Sequence, residues 1–195
     1  MAIRSLKSGT FSRSGLVGNP VIMPGSYESI ATVTVGAGGA SSVSFTGIPS
    51  TYTHLQLRMF CQFNDTTAGL GGASLQFNSD TGTGYTRHEL IGEGTAASSV
   101  GFGTGTYNGA TVGRFYFTPS SSIFSPAVID ILDYTNTNKY TTVRALGGTD
   151  VNGSGGELRF SSSVWTNTAA VTSITIPAST YNFKQYSSIA LYGVN

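Results

Sequence analysis

Thr53-His-Leu-Gln-Leu-Arg-Met-Phe-Cys-Gln-Phe63 is the stretch that decides the fold class. Leu55, Leu57, Met59, Cys61 and Phe63 fall on one side of it. His54, Gln56, Arg58 and Gln62 fall on the other, and Phe60 is the single exception. Successive side chains of a β-strand point to opposite faces, so a sustained period of two describes a strand with one face in a core and one in water. Strands of that kind belong to antiparallel sheets.

The same pattern recurs outward from this stretch in shorter pieces. Ala31, Val33 and Val35 share a face and run into the turn Gly36-Ala-Gly-Gly39, and Val43 and Phe45 begin a strand that Pro49 ends. Further strands are expected near residues 74–77, 85–91, 111–118, 127–134, 139–146, 157–165 and 171–176. Tyr134-Thr-Asn-Thr-Asn-Lys-Tyr140 and Asp150-Val-Asn-Gly-Ser-Gly-Gly156 read as turns, since Asn and Gly tolerate turn geometry. The stretch Ser187-Ser-Ile-Ala-Leu-Tyr-Gly-Val-Asn195 reads as a closing strand, with Ile189 and Leu191 on one face and Ala190 and Tyr192 on the other. No segment holds a helical period over three turns. Roughly eleven short strands and no substantial helix predict an all-β antiparallel β-sandwich of jelly-roll type over residues 27–195.

Composition narrows the function classes. The 195 residues suit one domain with a single core. Charged residues make up 10% of the chain, against about 25% in an ordinary globular protein. The surface must therefore be neutral and hydroxyl-rich. An apolar fraction of 39%, with 11% aromatic residues, excludes a disordered Gly/Ser/Thr-rich chain. A net charge of +1 offers nothing to a nucleic-acid backbone. The single cysteine, Cys61, excludes an internal disulfide and a Cys-based zinc cage, and its strand position makes it a small buried hydrophobe. No run approaches the roughly 20 apolar residues that span a membrane. Arg4 and Lys7 precede no apolar run, so they are not the start of a secretory signal, and the product is expected to stay in a cytoplasm until released.

Residues 1–26 stand apart. They hold Arg4, Lys7 and Arg13 and no acid, and Gly9, Gly15, Gly18, Pro20, Pro24 and Gly25 break any regular element. A frayed tail is the plain alternative. The reading preferred here is an extended arm that anchors on a partner surface through Ile3, Leu6, Phe11, Leu16 and the three cations Arg4, Lys7 and Arg13.

Two segments are apolar on both faces, Val128-Ile-Asp-Ile-Leu132 and Phe115-Tyr-Phe117. A two-layer sandwich leaves each sheet's outer face uncovered, so Val128, Leu132 and Tyr116 are expected to meet a second copy, as part of a homo-oligomer such as a trimer.

Constellations that could carry chemistry are weak. Glycosidases need two carboxylates about 5–10 Å apart. Asp130 and Asp133 point to opposite faces, while Glu89 and Glu93 read as solvated acids beside glycines. His54 and His88 have no Cys or acid at metal-ligand spacing, and Arg87-His-Glu89 alternates faces and forms no triad. Gly36–Gly39 and Gly101-Phe-Gly-Thr-Gly105 precede no helix, so they read as turns and not as phosphate-binding loops. Asp150, Asn152 and Ser154 faintly echo a calcium loop without its distal bidentate acid, with only Glu157 near. Tyr85, Tyr107, Tyr140 and Trp165 are the aromatics that a glycan site could use, or ordinary strand and edge residues. No catalytic, cofactor or metal residue is assigned.

Several blocks carry a resemblance. They are Ile30-Ala-Thr-Val-Thr-Val-Gly-Ala-Gly-Gly-Ala-Ser-Ser-Val-Ser-Phe45, Ile48-Pro-Ser-Thr-Tyr-Thr-His-Leu-Gln-Leu-Arg58 and Phe77-Asn-Ser-Asp80 with Tyr85. Ile131-Leu-Asp-Tyr-Thr135, Trp165 before Val171-Thr-Ser-Ile174, Phe183-Lys-Gln-Tyr-Ser187 and Leu191-Tyr-Gly193 complete it. Together they resemble the virion proteins of tailed bacteriophages, particularly those infecting cyanobacteria and other marine bacteria, whose β-sandwich domains end in Leu-Tyr-Gly. The resemblance implies a structural protein, assembled in the host cytoplasm into the virion, with no enzymatic activity and no cofactor. The expected role is capsid decoration or cementing, with the major capsid protein or another virion protein as partner. A short tail fibre or receptor-binding protein engaging host glycans is the alternative. The chain shows no coiled coil, collagen-like shaft or repeat of a long fibre.

Overall fold

The computed structural model describes residues 26–64, 69–117, 122–151 and 155–195. The anchoring arm expected over residues 1–26, with Ile3, Arg4, Leu6, Lys7, Phe11, Arg13 and Leu16, lies outside them except for Ser26. Among the described residues there are fourteen strands and no helix. They are β1 (Tyr27–Thr34), β2 (Ser42–Thr46), β3 (His54–Cys61), β4 (Phe63–Asn64), β5 (Gly69–Phe77), β6 (Tyr85–Glu93) and β7 (Ala96–Tyr107). The remainder are β8 (Ala110–Phe117), β9 (Ser125–Leu132), β10 (Thr141–Thr149), β11 (Glu157–Trp165), β12 (Ser173–Pro177), β13 (Asn182–Phe183) and β14 (Ser188–Val194).

An eight-stranded sheet runs β1-β14-β3-β9-β10-β11-β6-β7, and a six-stranded sheet runs β13-β4-β8-β5-β12-β2. Pairings are antiparallel apart from the short parallel contact of Phe63 with Phe117. The result is a β-sandwich. Within the large sheet β9, β10 and β11 follow one another as a meander.

Alternation explains why each strand sits where it does. In β3, Leu55, Leu57 and Cys61 are fully buried and Met59 nearly so, while Phe60 stands outside. The chain then changes sheets at Gln62. That residue's backbone N–H donates to the Ser187 hydroxyl (3.1 Å), and its carbonyl accepts the Lys184 N–H (2.8 Å). Phe63, one residue on, points back into the core as the first residue of β4. β14 lies between β1 and β3 with Ile189 and Leu191 fully buried, so the closing strand is an interior one. Two aromatic clusters fill the space between the sheets: Phe63 with Phe115, Tyr181 and Phe183, and Phe77 with Tyr85 and Trp165.

The main departure from expectation is β7. Gly101–Gly105, read as a turn, lies inside this twelve-residue strand at the outer edge of the large sheet. Gly101 serves packing, while Gly103 and Gly105 fall where the register against β6 shifts. A Cβ at Gly101 would fall 2.6 Å from the ring of its register partner His88, which lies across the strand. The turns at Gly36–Gly39 and at 134–140 are present, the first closed by Gly39 N–H donating to the Gly36 carbonyl (3.0 Å).

Candidate assembly surface and a buried ion cluster

The large sheet turns one face into the core, which leaves the alternate residues of β3, β6, β9, β10 and β11 on its outer face. Register aligns them in rows. Arg58 pairs with Val128, Val128 with Leu146, Leu146 with Phe160 and Phe160 with Leu90. That row crosses five strands, about 19 Å at ordinary strand spacing. The adjacent row holds Phe60, Pro126, Gly148, Leu158 and Gly92. Phe60, Leu90, Val128, Leu146, Leu158 and Phe160 are each between 42% and 60% exposed. Single exposed hydrophobes are ordinary, but a contiguous stripe beyond a few hundred Å² marks an interaction surface.

The stripe has relief. Gly92 and Gly148 carry no side chain, so beside the Leu146–Phe160–Leu90 ridge lies an open trough of about 1040 Å³, bounded by Phe124, Pro126 and Val128, with Leu158 standing in its row between the two glycines. Phe124 stacks on Phe60 (5.4 Å between centroids) at one corner. The next row across the face is polar: Gln56, Asp130, Arg144, Ser162 and His88, with Gln56 Nε2 donating to Asp130 Oδ1 (2.8 Å).

Of the expected interface residues, Val128 is in this stripe. Leu132 is on the same outer face but beyond the polar row and only half-buried. Tyr116 belongs to β8 in the other sheet and is half-buried there, so the structure does not bring the three together.

Between the sheets, near β7, polar residues replace the apolar core. Arg159 donates from Nε to Glu157 Oε1 (2.9 Å) and from Nη1 to Glu89 Oε2. Arg114 approaches Glu157 at 3.5 Å and Arg87 approaches Glu89 at 3.7 Å. Burial works against the charge on Arg159, but the hydrogen bonds and charges of Glu157 and Glu89 outweigh it and hold its pKa above the ordinary arginine value. Arg87 also lies over the Tyr107 ring, 3.9 Å from its centroid. A cleft of about 360 Å³ opens beside this cluster. Glu89, read as a solvated acid paired with Glu93, is instead 4% exposed and bound to a guanidinium 70 residues away, while Glu93 is exposed. Glu157 and Glu89 both bond to Arg159, with Arg114 and Arg87 close by, so the five side chains form one buried ion cluster in which Glu89 Oε1 accepts no hydrogen bond among the described residues.

Other candidates resolve similarly. Trp165 and Tyr85 are core residues: Trp165 Nε1 donates to Asp80 Oδ2 (2.7 Å), and the Tyr85 hydroxyl accepts the Phe77 N–H (3.1 Å). Tyr107 is half-buried and Tyr140 exposed. Cys61 is buried, and burial pushes its thiol up to about 12. His54 Nδ1 accepts the Asp133 N–H (2.9 Å), and Asp133 pairs with Lys139, whose hydrogen bond holds its carboxyl below the ordinary value. No group of three His, Cys, Asp or Glu side chains could hold a metal among the described residues. Asn152 and Ser154 lie outside them, and Glu157 is engaged by Arg159. No helix among the described residues is long and apolar enough to cross a membrane.

Comparison with models of protein families, with curated proteins and with solved structures returns no match to this chain.

Proposed function

We propose that this chain is a structural protein of a tailed-phage virion, a capsid decoration or cement protein. Its sandwich packs against neighbouring subunits, and residues 1–26 serve as the anchoring arm on the major capsid protein or another virion protein. The observation that carries this reading is the apolar stripe across five strands of the large sheet. On a chain with 10% charged residues, that stripe is a surface built to be covered. The sequence resemblance supplies the setting. The buried acids Glu89 and Glu157 are both tied to Arg159, which supports a structural role for them.

Particle reconstruction or immunogold labelling tests the proposal. Copies distributed over the shell support decoration; copies confined to the tail overturn it in favour of the short fibre that engages host glycans. Deleting residues 1–26 should leave a folded domain that no longer attaches to particles. Full occupancy of shells by the truncated protein would remove the arm from the proposal.

A further inference from the structure

We propose that the partner of the apolar stripe is a second copy of this chain, packed face to face about a two-fold axis. The axis runs across the strands, between the row containing Leu146 and the row containing Gly148. This rests on the reading of the chain as an assembly protein and names the partner of that surface.

Area is the first argument. Six half-exposed Leu, Val and Phe side chains present roughly 500–600 Å², and Phe124 with Pro126 bring the face close to the ~800 Å² per partner of a stable interface. Shape is the second. A two-fold axis in that position exchanges the two rows while keeping each strand opposite its own counterpart. Leu146 then stands over the partner's Gly148, and Leu90 over the partner's Gly92. Every large side chain of the ridge on those strands meets a glycine of the trough. Phe160 meets the partner's Leu158, and Val128 meets the partner's Pro126. An isologous contact needs such self-complementarity, because the same patch serves both copies. A partner of different sequence would have no reason to match a ridge and a trough at the same strand spacing. Charge is the third argument. The stripe itself is uncharged between Arg58 and Leu90, so two copies bring no like charges together along it.

The full chain, examined by sedimentation equilibrium over a concentration series, should show a monomer–dimer equilibrium. Leu146→Asp should weaken it on the order of 30-fold or more, as expected for a central apolar contact. Gly92→Leu fills the trough and should weaken it comparably; a Cβ there meets nothing within 4 Å in the single copy, so the fold tolerates it. Both variants should keep the cooperative melt of the parent, which separates lost pairing from lost folding. Leu132→Asp, beyond the polar row, should leave pairing unchanged. Mixing Leu90→Cys and Gly92→Cys chains with a short bismaleimide should yield covalent dimers, more than either variant alone; the buried Cys61 does not compete.

A full chain that stays monomeric at high concentration, or a Leu146→Asp chain that still pairs, overturns the proposal. Dimers without Leu90–Gly92 cross-linking overturn the axis. A monomer that still coats shells sinks this inference and leaves the decoration reading standing; a dimer absent from particles does the reverse.

Discussion

The ring of Tyr52 lies against the backbone of Gly193, so close that a Cβ on Gly193 would sit under 3 Å from three of the ring carbons. The Tyr52 hydroxyl reaches past β14 to donate to Glu28 Oε2 in β1 (3.0 Å), tying the edge strand to the loop before β3. Leu191, two residues earlier, is in the core, and Tyr192 faces outward between Tyr27 and Arg58. Each member of Leu191-Tyr-Gly193 therefore has a separate physical duty.

Gly193→Ala should displace the Tyr52 ring and cost about 1–3 kcal/mol, the usual penalty of overpacking. Thermal denaturation should show a Tm lowered by several degrees. The penalty should shrink in a Tyr52→Ala background, where the ring is gone; an equal loss in both backgrounds would place the strain elsewhere.

Glu89→Gln leaves Arg159 buried with half its compensation and should destabilise by about 3–5 kcal/mol. Glu93→Gln, at an exposed strand end, should stay within about 0.5 kcal/mol of the parent. Urea titrations of the two variants measure the contrast directly.

Burial raises Cys61 and Tyr85 each to about 12, from ordinary values of 9.0 and 10.0. The folded chain keeps these protons while the unfolded chain loses them. The unfolded state thus binds fewer protons above pH 9 for the thiol and above pH 10 for the phenol, and stability must fall as pH rises from there toward 12, by about 1.4 kcal/mol per pH unit for each group within its own window. Cys61→Ala should lower stability overall but make this alkaline limb shallower. An unchanged slope in unfolding experiments at successive pH values would exclude the thiol as a contributor.

Trp165 is the only tryptophan, and its indole N–H donates to the Asp80 carboxylate. Asp80→Ala should cost about 1–3 kcal/mol through the unsatisfied buried donor. The fluorescence maximum should stay blue-shifted, because the ring remains enclosed by Phe77 and Tyr85. A red-shifted native spectrum would mean that the bond holds the ring in place.

What the sequence revealed depended on whether the cause was local. The alternation in β3 and β14 is a property of consecutive residues, so both were legible with the correct inward faces; Gln62, expected on the solvent side, is instead buried where the chain leaves β3. β7 was not, because Gly101 answers to His88 on a neighbouring strand and the run of glycines mimics a turn when read alone. Glu89 was misjudged for the same reason: its partner Arg159 is brought to it only by the pairing of β6 with β11. The stripe was half visible. Val128 stood out in a segment apolar on both faces, but Leu90, Leu158 and Phe160 are unremarkable singly, and only register gathers them. Tyr116 looked equivalent to Val128, yet belongs to the opposite sheet.

The outer edge of the large sheet has a consequence for the protein in the tube. β7 offers one side of its regularly paired backbone, Ala96–Phe102, to any passing strand. The small residues Ala96, Ala97, Ser98, Ser99 and Gly101 leave little there to fix a register. Such an edge templates lateral growth, so concentrated stocks should slowly form ribbons while the domain itself remains folded. A lysine in place of Ser98 should lengthen shelf life, as followed by light scattering over weeks. If scatter instead tracks thermal unfolding, the edge is not the seed.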